Sequence, residues 1–95
     1  MDIIVELPKG GKSYKQILKL AEKFEKDLNI RLAGIYYRIE RSIMNRTMAT
    51  SVVIAFYLDN QQEDRLEKIK EYFEEYRKSL GSDWIFVRVY VCKYL

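Results

Sequence analysis

Residues 36–57 contain two alternating runs, Tyr36–Glu40 and Ser51–Tyr57, with Asn45-Arg46 between them. Such a stretch can close on itself as one long β-hairpin, and its alternation then assigns nearly every side chain to a face. A two-residue turn at Asn45-Arg46 pairs Met44 with Thr47, Ile39 with Val52, Tyr37 with Ile54 and Ile35 with Phe56, which makes one apolar face. The intervening pairs, Glu40 with Ser51, Arg38 with Val53 and Tyr36 with Ala55, make a second face that is partly aromatic and partly charged. A slip of one residue would mix the two faces, so the pairing is strongly specified.

The flanking segments carry equally plain signals. Ile3, Val5 and Leu7 alternate with Ile4 and Glu6 in a first strand closed by Pro8. After the Lys9-Gly10-Gly11-Lys12 loop, Ser13 caps a helix, with Gln16 as its capping-box partner. Tyr14, Ile17, Leu18, Ala21, Phe24 and Leu28 recur at helical spacing and form the expected buried stripe. Beyond the hairpin, Asp59 or Asn60 caps a second helix, with Gln62 or Glu63 as the reciprocal partner. Leu66, Ile69, Phe73, Tyr76 and Leu80 are its buried face, and Gly81 stops it. Trp84–Tyr94 alternates again as a last strand.

The element order is β-α-β-β-α-β in 95 residues, the length of one domain. Right-handed crossovers put both helices on one side of a four-stranded antiparallel sheet. Over its whole length the pattern resembles the ferredoxin-like superfold, an α+β class, and that resemblance implies the strand order 4-1-3-2. The helix-facing side then takes Ile3, Val5, Leu7, Ile35, Tyr37, Ile39, Val52, Ile54, Phe56, Ile85, Val87, Val89 and Val91. The superfold hosts many functions, so function must come from a site.

The opposite parity defines the face the helices leave open. It carries Phe86, Arg88, Tyr90, Cys92 and Tyr94 on strand four, and Ile4 and Glu6 on strand one. Strand three adds Ser51, Val53, Ala55 and Tyr57, and strand two adds Tyr36, Arg38 and Glu40. Small and medium residues in the middle with aromatics and arginines outside describe a shallow trough that calls for a cover. Ferredoxin-like domains often dimerise sheet to sheet, so the resemblance implies a homodimer, centred on Tyr36, Val53, Ala55, Tyr57, Phe86, Tyr90 and Tyr94. A different protein or a small apolar ligand would be a third kind of cover, which no residue pattern selects.

The second cover is nucleic acid, since aromatics interleaved with arginines stack bases and hold phosphates. The RNA-recognition-motif family shares this topology and places its stacking aromatics on the two central strands. Here Ile4 stands at one such position, Tyr57 is the only aromatic on the open side of strand three, and the basic-glycine-aromatic signature is absent. These departures argue against the standard binding mode and leave the edges and the hairpin tip. The contact candidates are Lys9, Lys12, Arg38, Arg41, Arg46 and Arg88, with Ile43 or Met44 as an apolar wedge. The alternative is that the tip packs on a helix end or on a dimer mate, which the core-side parity of Ile43 and Met48 modestly favours.

Charge leans the same way. The net charge is +3, and residues 1–50 hold ten basic side chains against six acids, whereas residues 51–95 hold seven against eight. An anionic partner would therefore approach the first half, although an ordinary solvated surface accounts for the same numbers. Gly10-Gly11-Lys12-Ser13 lies where a phosphate loop would, but the spacing requires a glycine where Glu6 stands, so a turn into a capped helix is the better account.

Catalysis has little to work with. There is no histidine and Cys92 is the single cysteine, which removes His-assisted nucleophiles, His metal ligands and an internal disulfide. No cofactor or metal is expected. Glu6 is expected to be solvated or paired with Arg38 or Arg88. A lone cysteine, no apolar run of spanning length and an acid at position 2 lead to a cytoplasmic expectation without a leader or membrane segment. The Lys-, Glu-, Ile- and Tyr-rich usage is of the kind seen in thermophile proteins. A non-enzymatic binding or assembly module is the expectation.

Overall fold

The computed structural model describes residues 1–41, 47–79 and 88–92, with side chains placed for 1–39, 51–79 and 89–91. The elements run β1 (Asp2–Pro8), α1 (Tyr14–Leu28), β2 (Arg31–Arg41), β3 (Thr47–Tyr57), a 3-10 segment (Asn60–Arg65), α2 (Leu66–Ser79) and β4 (Arg88–Cys92). The fold is α+β, with a four-stranded antiparallel sheet ordered β2-β3-β1-β4, which from the other edge reads β4-β1-β3-β2.

Local chemistry explains where the helices begin and end. The Ser13 hydroxyl accepts from the Gln16 N–H at 3.2 Å while Gln16 Oε1 accepts from the Ser13 N–H at 2.8 Å, so the capping box forms in full. Asn29 ends α1 in the left-handed conformation, φ 51°, and the Arg65 guanidinium donates to the terminal carbonyls of Leu28 and Asn29. A cation on the last carbonyls satisfies orphan acceptors and opposes the negative end of the helix. The second helical stretch departs from the single helix expected. Asp59 caps a 3-10 segment, Gln62 leaves helical geometry at φ −106°, and α2 starts only at Leu66.

Ile3, Val5 and Leu7 of β1 and Val52, Ile54 and Phe56 of β3 are fully or almost fully buried against Ile17, Ala21 and Phe24 of α1 and Ile69 and Phe73 of α2. Phe24 is the hub. Its ring meets Phe56, Tyr72, Phe73 and Tyr76 edge-on, at centroid distances of 5.0–6.5 Å. Both helices therefore share one side of the sheet, and Val89 and Val91 of β4 pack against the same core. Tyr72, absent from the expected stripe, joins it by donating its hydroxyl to Asp27 Oδ2 at 2.7 Å, which ties α2 to α1.

Three expectations need correction. The hairpin register is shifted by two residues: Tyr37 faces Val52, Ile35 faces Ile54, Tyr36 faces Val53 and Arg38 faces Ser51. Beyond Arg38 an irregularity skips Thr50, so Ile39 faces Ala49 and Thr47 faces Arg41 rather than Met44. A two-residue slip preserves faces because side chains alternate with period two, and so the sorting survives although the pairs do not. The turn placed at Asn45-Arg46 lies outside the described residues. Second, Tyr37 and Ile39 are not core. They sit on the edge strand and are 37% and 61% exposed, whereas Ile35 on the same strand still packs against the core. Third, Tyr14 is 56% exposed, because the buried stripe of α1 begins at Ile17. Leu80, Gly81, Trp84, Ile85 and Val87 also fall outside the described residues.

Candidate open-face interaction surface

The register lays the open side of the sheet out as rows. Gly34, Ala55, Ile4 and Tyr90 form one; Tyr36, Val53, Glu6 and Arg88 form the next; Arg38, Ser51 and Pro8 lie beyond. Arg31, Tyr57, Asp2 and Cys92 close the other end. The floor is low: Gly34 has no side chain and Ala55 is 8% exposed, with Ile4 and Val53 half-buried beside them. Tyr36 on one edge and Tyr90 on the other are 60% and 46% exposed, and Tyr57 is 44% exposed at the end of β3. Among the described side chains, exposed tyrosines thus stand around a floor of small and aliphatic residues.

Gly34 is a member of this floor at the same parity as Tyr36 and Arg38, and the irregularity between Leu32 and Gly34 lies just before it. A Cβ at Gly34 would stand 2.8 Å from the Tyr36 hydroxyl and 3.0 Å from its ring. The Tyr36 ring therefore lies back along β2 over the bare backbone, which lowers that wall of the trough.

Toward the hairpin the same face turns polar. Glu6 is only 4% exposed although no helix covers it. Its Oε2 accepts from the Ser51 hydroxyl at 3.0 Å and lies 3.1 Å from Arg38 Nη1. A buried carboxylate demands such partners, since an unpaired one would be driven to neutralise. The expected Glu6–Arg38 pair forms, and Ser51 is the third member that sequence reasoning missed. Arg88 is the register partner of Glu6 on β4. Arg38 is thus committed to Glu6 as well as lying at the surface, which sets it apart from the lysines of the first loop.

Those lysines lie at the same end of the molecule. Lys12 Nζ reaches the Pro8 carbonyl at 3.5 Å, and Lys9 closes the turn through its carbonyl, which accepts from the Lys12 N–H at 3.1 Å. Gly10 takes φ +55° in that turn, a conformation that favours glycine. Arg41 ends β2. Arg46, Phe86 and Tyr94, also named as contact candidates, lie outside the described residues, as do Ile43 and Met44.

A cleft of about 540 Å³ opens at the opposite end, lined by Glu25, Asn29, Arg31, Tyr57, Asp59 and Gln62 among others. Its acids already serve the backbone: Glu25 Oε2 accepts from the Leu32 N–H at 2.6 Å and Asp59 Oδ1 from the Gln61 N–H at 3.0 Å. No helix among the described residues is long and apolar enough to cross a membrane. In comparison with known proteins, no family model matches this chain and no curated protein is similar to it.

Proposed function

We propose that this protein is a small non-enzymatic binding or assembly module of the ferredoxin-like kind that homodimerises through its open sheet face. The observation that carries the reading is the low floor of Gly34, Ala55, Ile4 and Val53 with Tyr36, Tyr57 and Tyr90 standing exposed around it. Exposed aromatics around an apolar floor are a surface water solvates poorly. A two-fold contact sets each patch on its own copy, so one solution covers both. The half of the face carrying Glu6, Arg38 and Ser51 is internally neutralised, which lowers the electrostatic cost of bringing two copies together.

Tyr90→Glu is the decisive variant, because Tyr90 lies on the edge strand β4 and its substitution leaves the core intact. It should convert a dimer to a monomer in light scattering with unchanged circular dichroism. Val53→Glu should do the same, but it places a second carboxylate beside buried Glu6 and so also strains the fold. A wild-type chain that stays monomeric at micromolar concentration would overturn the reading.

A further inference from the structure

Two tyrosines that the sequence pattern assigns to the core are instead at the surface, and the topology brings them to the same end and the same side. Tyr37 shares a row with Val52 and Leu7, the level at which β1 ends and the chain turns through Lys9–Ser13 into α1. Tyr14 is the first residue of α1, which follows β1 through that turn, and β2 carries Tyr37 and Ile39 on its helix side. The exposed Tyr14, Tyr37 and Ile39 therefore lie toward the same end and on the same side of the sheet. This side of the sheet is opposite the open face.

Along the turn into α1 and its first half the charge is of one sign. Residues 7–21 contain no acid, yet they carry Lys9, Lys12, Lys15 and Lys19, and the first turn of α1 has no acidic residue. Lys15 and Lys19 are exposed, and Lys9 and Lys12 are half-exposed. Beyond Ile39, β2 ends with one acid and one base, Glu40 and Arg41. We infer that this patch binds single-stranded nucleic acid, with bases stacked on Tyr14 and Tyr37 and phosphates held by Lys12 and Lys15. A duplex buries its base faces and would use only the lysines; an acidic peptide would leave the ring faces without flat partners. Single strands offer both chemistries at once, and ring stacking is tolerant of sequence. The inference does not depend on the dimer, because it uses the other side of the sheet.

The test is binding of fluorescently labelled mixed-sequence single-stranded DNA and RNA, with the matching DNA duplex and a polyglutamate peptide as competitors, to the full chain. Binding of either single strand that weakens steeply with salt is expected, and the tighter of the two names the natural strand. Tyr14→Ala and Tyr37→Ala should each weaken it by about tenfold with little change in salt dependence. The double change Lys12→Glu and Lys15→Glu should flatten the salt dependence. Tyr90→Glu should bind as well per chain as wild type, which separates this patch from the open face. The inference is overturned if neither strand binds at low salt, if the tyrosine variants bind unchanged, or if the duplex or polyglutamate competes as well as the single strand.

Discussion

Val52 and Tyr37 are register partners on the same side of the sheet, yet Val52 is completely buried while Tyr37 is 37% exposed. The two differ in their neighbours. Val52 lies on β3, flanked by β1 and β2 and covered by both helices, whereas Tyr37 lies on the edge strand near the level where β1 ends. The contrast continues outward, since Ile39 is past the reach of β1 and is 61% exposed. Alternation tells which way a side chain points; burial also needs a layer to arrive there. The hairpin thus has a proximal part that is core and a distal part that is surface.

Truncation of side chains along this boundary should break the comparison most sharply. Phe56→Ala, in the covered part, removes a ring packed on Phe24 and should cost about 3–5 kcal/mol in denaturant unfolding. Loss of the Glu6 partners comes next. Arg38→Met leaves a buried carboxylate with Ser51 as its remaining partner among those described, and should cost about 1–2 kcal/mol, less than a fully buried pair because the arginine is itself largely exposed. Tyr72→Phe removes the bond to Asp27 and should cost about 0.5–1 kcal/mol. Burial and the Asp27 carboxylate raise the Tyr72 pKa, so the folded chain holds that proton more tightly than the unfolded one. The stabilisation it represents is full below the ordinary tyrosine range near 10 and is lost as pH rises above it. Tyr72→Phe should accordingly soften the alkaline fall in stability, measured by unfolding at pH 9 and 11. Ile39→Ser, in the uncovered part, should change stability least, within about 0.5 kcal/mol. An Ile39→Ser cost comparable with that of Phe56→Ala would show that the distal arm is covered after all.

Much of this was legible in the chain. The Ser13–Gln16 capping box, the six-element order, the inward Ile3, Val5, Leu7, Val52, Ile54 and Phe56, and the outward Tyr36, Tyr57 and Tyr90 follow from spacing alone. Spacing could not give the register, because the chosen turn fixed the pairs while an even shift costs the faces nothing. It did not show the irregularity before Gly34, which skips Ala33. It hid Tyr72, whose hydroxyl needs a partner that only the neighbouring helix supplies. It also buried Tyr14 and Tyr37 too readily, because helical and strand periodicity say nothing about where a covering layer ends.

The central claim is that the open face, with its low floor and exposed tyrosines, is covered by a second copy. Light scattering of the wild-type chain at micromolar concentration, beside Tyr90→Glu, tests it most directly. The account predicts twice the 11.4 kDa chain mass for the wild type and the single-chain mass for Tyr90→Glu. A wild type at 11.4 kDa, or a Tyr90→Glu variant that remains dimeric, would contradict it.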